Sequence, residues 1–243
     1  MQKLQNSILK IIKKCLKPQA KIILRFLKNL LPSDYVKFGK KHRDISIISN
    51  NCIATYLYKD LNIKYSSPTI NLQFTQDGFV KFCKHFDYYI YLKIREHPTP
   101  SSTLEEFKKL GGDNINFPVG ILGDLTIFLQ HYKSIEDANI SWSKRSLRIN
   151  RSKLFFIYMV RDQTEDAFIL NFLNTAFENK LVLTNSDRRE KFPQSFPLFN
   201  KELEWFEKNP LSNRPYYKQF DFLKWMNRAL SLKSLRKDRE NII

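Results

Sequence analysis

From Asp44 onward the apolar positions fall into two kinds of stretch that alternate along the chain. Short runs rich in β-branched and aromatic residues, Ile45–Ser49, Leu125–Tyr132, Lys153–Val160 and Lys180–Thr184, read as strands. Pro68–Phe74 reads as extended. Stretches with apolar residues at three- and four-residue steps read as helices over Ile53–Leu61, Asp77–Phe86, Ser134 to about Arg148, Thr164–Phe177 and Phe220–Leu232. Ser134 with Asp137, and Ser102 with Glu105, have the spacing of helix N-caps. Strands alternating with helices imply βα units. The expected architecture is α/β: a mostly parallel sheet with helices on both faces, a Rossmann-like three-layer arrangement.

The first 43 residues follow a different pattern. Leu4, Ile8, Ile11, Ile12 and Cys15 share one helical face, and Ile22, Ile23, Phe26, Leu27, Leu30 and Leu31 share a second, with Pro18 between and Pro32 after. Twelve basic residues against the single acid Asp34 give this arm +11 of the chain's +17. The division is therefore a basic amphipathic helical arm, 1–43, and a single α/β domain, 44–243. Over residues 3–31 the arm suits an anionic lipid surface, where each Lys or Arg contributes about 1 kcal/mol. A second copy of the chain, as a homodimer, or the domain itself could cover the same apolar faces.

The longest unbroken apolar run, Leu154–Val160, is far short of the roughly 20 residues of a membrane span. Lysines interrupt the N-terminal apolar residues too often for a signal peptide. Three widely spaced cysteines, Cys15, Cys52 and Cys83, offer neither a disulfide framework nor metal-ligand spacing. The expected setting is cytoplasmic and peripheral, at the inner face of the plasma membrane. No metal and no tightly bound cofactor is read. A pI of about 9.7 raises nucleic acid as a partner, but no helix-turn-helix, zinc or aromatic-platform pattern accompanies it, so specific nucleic-acid binding is not expected.

Parallel sheets bind ligands beyond the carboxyl ends of their strands, which singles out Asn50–Cys52, the segment after His131, and Arg161–Asp162. Cys52 stands at a strand–helix turn, where backbone N–H groups and the helix dipole lower a thiol pKa. It reads as a nucleophile or acyl contact with Asn50 and Asn51 as polar donors, or as a small buried residue. His131 reads as a general base or a core histidine. Asp124 and Asp162 could orient a histidine, bind a metal or grip sugar hydroxyls, and Asp162 with Glu165 also fits a helix cap. Arg145 and Arg148 follow Trp142 at three-residue steps on one helical face, and two guanidiniums suit a phosphate group. A solvated face, with Trp142 in the core, is the alternative.

Five stretches resemble the domain-of-unknown-function family 1919, a group associated with exopolysaccharide and capsule biosynthesis. They are Ile47-Ile-Ser-Asn-Asn-Cys52, Tyr65-Ser-Ser-Pro-Thr69, Pro118-Val-Gly-Ile-Leu-Gly-Asp124, His131-Tyr-Lys-Ser134 running into Trp142-Ser-Lys-Arg-Ser-Leu-Arg-Ile-Asn150, and Arg161-Asp162. Ile53-Ala54-Thr55 stand where that family has a Trp and glycines, so a glycine-built backbone cradle is not expected here. The resemblance implies an α/β fold and a place in surface-polysaccharide (exopolysaccharide, capsule or lipooligosaccharide) synthesis.

The expectation is a transferase that transfers an acyl group to a glycan or lipid-linked glycan, with acyl-coenzyme A as co-substrate. Cys52, His131 and Asp124 would be catalytic, and Asn50, Asn51, Arg145, Arg148 and Asp162 would bind substrate. The alternatives are glycosyl or glycosyl-phosphate transfer from a nucleotide-activated sugar, and a non-catalytic membrane-docked assembly module. Deleting residues 1–40 is expected to abolish flotation with anionic liposomes; unchanged flotation would remove the lipid-binding role of the arm.

Overall fold

A computed structural model describes residues 34–161, 164–184, 186–198 and 220–240, with side chains through 232. Its centre is a four-stranded parallel sheet of β1 (Ser46–Ser49), β6 (Leu154–Val160), β7 (Lys180–Thr184) and β8 (Ser195–Pro197), in that order across the sheet. All seven residues of β6 are buried, which is why its sequence is an unbroken apolar run. Alternate residues feed two cores. Phe156, Tyr158 and Val160 point to one side, and Phe155, Ile157 and Met159 to the other.

Helices cover both faces, completing the α/β layering. On the Ile157 side lie α1 (Asp34–Lys41), α2 (Ile53–Leu61) and α8 (Phe222–Glu240), which contribute Phe38, Leu57, Tyr58, Phe222 and Met226 to that core. The Tyr158 side holds α3 (Gln76–Lys84), α4 (Phe86–Tyr89), α6 (Ile135–Ser146) and α7 (Asp166–Leu173), with Phe79, Phe82, Phe86, Trp142 and Phe172 packed together. Trp142 donates its ring N–H to the Ile90 carbonyl at 3.2 Å and is a core residue.

A second sheet was not apparent from the strand–helix alternation. Strands β2 (Gln73–Phe74), β5 (Leu125–Phe128), β4 (Val119–Leu122) and β3 (Ile94–Glu96) pair antiparallel in that order. The run from Leu125 is therefore not a strand of the parallel sheet. Leu122 pairs with Leu125, leaving only Gly123 and Asp124 between them, and a two-residue loop can join only antiparallel neighbours. Gly123 takes the left-handed conformation such a turn needs, with φ of 65°. One face of this sheet joins the Trp142 core, and α5 (Leu104–Lys109) covers the other through Phe107, Val119 and Phe128.

Ser134 caps α6, accepting from the Asp137 N–H at 3.1 Å, as its spacing predicts. Ser102 does not cap α5. Pro100 starts a 3-10 turn over Pro100–Thr103, Ser102 donates to the Thr99 carbonyl, and Glu105 pairs with Lys108.

The edge of β1 is closed by side chains rather than by another strand. The Tyr58 hydroxyl accepts from Ile47 N–H at 3.0 Å, and Thr69 Oγ1 accepts from Ser49 N–H at 3.2 Å. Residues 3–31, read as suiting a lipid surface, lie outside the described residues, but residues 34–41, read as the end of that arm, pack into the domain as α1. Among the described residues no helix is long and apolar enough to cross a membrane.

Helix α1 docks through Gly39. A Cβ there would stand 2.0 Å from the Leu61 carbonyl oxygen at the end of α2. Gly39→Ala is therefore expected to destabilise the protein by about 1–3 kcal/mol, seen as a lower urea midpoint. An unchanged midpoint would mean that α1 does not pack as described.

Candidate functional site

The carboxyl ends of β1 and β6 meet at Asn50. Its side chain accepts from Met159 N–H and donates to the Met159 carbonyl, both at 2.9 Å, while its own carbonyl accepts from Phe74 N–H at 3.0 Å. Asn50 is 2% exposed, with both ends of its carboxamide bonded to Met159. It is a structural amide, and not the substrate donor its position suggests. The Asn51 carboxamide oxygen accepts from Ile53 N–H at 3.1 Å, and Ser49 Oγ accepts from Ala54 N–H at 3.3 Å. These bonds occupy the first amides of α2 that might otherwise hold an oxyanion.

Cys52 follows, at the N-cap position of α2 and part-buried. Burial pushes its thiol up to about 11, with Lys59 pulling weakly the other way. The direction is opposite to that expected of a thiol at a helix N-terminus. The nearby amides already have acceptors, and loss of hydration outweighs the dipole.

His131 lies exposed beyond the end of β5. Partial desolvation, then the Lys59 cation, hold its pKa below 6.5. Cys52 and His131 thus share Lys59 as an electrostatic neighbour, and neither registers the other. The link from Cys52 runs instead through Tyr132, whose phenol senses the thiol. The Tyr132 hydroxyl donates to the Ile70 carbonyl at 2.9 Å and accepts from Arg145 Nη1 at 2.6 Å. The Arg145 guanidinium also donates to the Ile70 carbonyl at 3.3 Å and lies over the Tyr65 ring at 5.2 Å.

Arg148 converges on the same place. Both guanidiniums act on the Tyr58 hydroxyl, and Tyr58 meets Tyr65 edge-on at 5.5 Å. The Arg148 Nε is buried without a hydrogen-bond partner. Among the described residues neither arginine meets a carboxylate; Arg145 has a phenol, a carbonyl and an aromatic ring. The structure therefore groups Arg145 with Tyr65 and Tyr132 by direct contact. Arg148, Cys52 and His131 are related to them only through electrostatics, by way of Tyr58, Tyr132 and Lys59. The sequence reading did not single out Lys59, Tyr65 or Tyr132. Tyr65 and Tyr132 sit inside the segments that carry the family resemblance, the signal that could have found them.

Asp124 belongs elsewhere. It occupies the β4–β5 hairpin turn, ion-paired with Lys81 and accepting from the Tyr89 hydroxyl at 2.7 Å, and these contacts lower its pKa. The four residues of β5 separate it from the His131 end by about 13 Å, so it does not orient that imidazole. Asp162 lies outside the described residues. Among the described residues no group of three His, Cys, Asp or Glu side chains could hold a metal ion.

With its thiol held at about 11, Cys52 is expected to react slowly with iodoacetamide at pH 7, and the rate should climb steadily as pH rises through 9. Peptide mass spectrometry against a free-cysteine peptide reads this directly. Alkylation at pH 7 as fast as the peptide's would show an activated thiolate instead.

The family model described as a domain of unknown function (DUF1919) matches residues 26–227, from before α1 into α8. An uncharacterised protein of Haemophilus influenzae (strain KW20 / Rd) is 28% identical over 192 residues, which cover 77% of this chain and 86% of that relative. With the matched region holding both sheets and the arginine cluster, this chain belongs to the DUF1919 family.

Proposed function

We propose that this protein is a transferase of bacterial surface-polysaccharide biosynthesis that works on a phosphate-bearing substrate, a nucleotide-activated sugar or a lipid-linked sugar phosphate, gripped by Arg145 and Arg148. The observation that carries this reading is a pair of guanidiniums that meet no carboxylate among the described residues, one of them with a buried N–H lacking an acceptor. A buried charged donor without a partner is costly, and a phosphate oxygen supplies the acceptor and the counter-charge together. The surface-glycan setting follows from the resemblance of the 45–185 core.

Glycosyl or glycosyl-phosphate transfer fits this site better than acyl transfer through a Cys52 thioester. The thiol stays protonated at neutral pH, whereas His131, with its pKa below 6.5, is neutral and able to take a proton. For glycosyl transfer, an acceptor hydroxyl oxygen bonds to the anomeric carbon and its proton passes to His131. The bond from that carbon to the phosphate oxygen breaks, and the phosphate leaves with the electron pair, its charge held by the arginines. The basic arm would keep the domain at the inner face of the membrane, where lipid-linked acceptors are found.

Calorimetry with UDP-glucose, GDP-mannose and a micellar polyprenyl phosphate tests the reading. The wild type is expected to bind at least one of them, and Arg148→Ala to weaken that binding about tenfold or more, the value of one charge-assisted hydrogen bond. Arg148→Lys should recover only part of the loss. Absence of binding to all three would overturn the proposal.

A further inference from the structure

Gln76 opens α3 immediately after β2 and reaches the carboxyl end of β6. Its Nε2 donates to the Met159 carbonyl over a long 3.4 Å, and that carbonyl already accepts from Asn50 at 2.9 Å. Its Oε1 is buried with no hydrogen-bond partner. Exchanging the two amide atoms does not help, because it would set the oxygen against the same carbonyl. Beside it, Asn51 Nδ2 donates to the Met159 thioether at 3.0 Å, a weak acceptor. Two carboxamides therefore converge on one residue, each short of a good partner. Buried polar groups are otherwise nearly always satisfied. They also lie at the carboxyl ends of β1 and β6, where a parallel sheet takes its ligands, and Asn51 directly precedes Cys52.

We infer that Gln76 and Asn51 form a hydroxyl-binding subsite for the sugar portion of the substrate. A sugar hydroxyl donates to Gln76 Oε1, and a sugar oxygen accepts from the second N–H of Asn51 Nδ2. Gln76 is itself part-exposed, so its amide meets the ligand by turning about its side-chain bonds, giving up only the 3.4 Å bond to Met159. Asn51 needs no movement, since its Oδ1 remains on Ile53 N–H. The nature of the ligand rests on the transferase reading; the subsite itself rests on the two amides.

Three probes separate the two: inorganic pyrophosphate, UDP-glucose and free glucose, titrated into full-length wild type, Gln76→Met and Asn51→Asp. Gln76→Met keeps the length and removes the amide, and Asn51→Asp keeps the oxygen that caps α2. Each variant is expected to weaken UDP-glucose about tenfold, one hydrogen bond's worth, and to leave pyrophosphate unchanged. Gln76→Met should melt no lower than wild type, because it removes an unsatisfied acceptor. Equal UDP-glucose affinity in wild type and Gln76→Met overturns the subsite while leaving the phosphate site standing. A parallel loss of both phosphate ligands with a lower melting temperature also overturns it, as a structural defect. If neither phosphate probe binds wild type, the phosphate reading falls, and the side-chain amide signals of Gln76 and Asn51 decide. Their shift with millimolar glucose supports the subsite, and their indifference overturns it.

Discussion

The structure hangs on the way a parallel pair of strands ends. At the carboxyl end of β1, the Asn50 side chain supplies both halves of the next rung, holding the N–H and carbonyl of Met159 on β6. Its backbone carbonyl takes Phe74 N–H and fastens the antiparallel sheet to the parallel one. A single buried residue thus bonds to both sheets. It also fixes the direction in which Asn51 and Cys52 leave the strand, and therefore where α2 begins. No apolar residue could stand here, because burial would leave two backbone groups of Met159 without good partners.

Among the described residues, Arg145 and Arg148 carry positive charge that no carboxylate pairs. Arg145 is oriented by a phenol, a carbonyl and a ring, contacts that fix direction and leave the charge uncompensated. Several other cations are matched with carboxylates: Lys81 with Asp124, Lys153 with Asp44, Lys191 with Asp166. Guanidiniums held in place by neutral groups retain their full attraction for an anion. Those already joined to carboxylates would have to exchange one partner for another.

What the sequence disclosed follows from how local each signal is. Strand β6 was legible because burial on both faces leaves no polar position in it, and Ser134 because a cap needs only three residues of context. The antiparallel sheet was hidden because β2, β3, β4 and β5 are two to four residues long, and their pairing turns on the two residues between Leu122 and Leu125. Asp124 and His131 stand at opposite ends of one strand, a separation that reading Leu125–Tyr132 as a strand already contains. Arg145 and His131 could be chosen by residue type. Tyr132 could not, since a phenol matters here through Arg145 and through a carbonyl sixty-two positions away. Gln76 carries no sequence signal at all; its interest is a missing bond.

The docking of Gly39 against the end of α2 has a geometric consequence. Helix α2 has nine residues, about 13 Å at 1.5 Å each. Cys52 sits at one end, and α1, which leads back toward the arm, is seated at the other. The turn at Cys52 and the seat of α1 are thus held apart by a rigid rod of fixed length. If the first residues rest on a lipid surface, as proposed, α2 would act as a ruler that sets how far from the headgroups that turn stands.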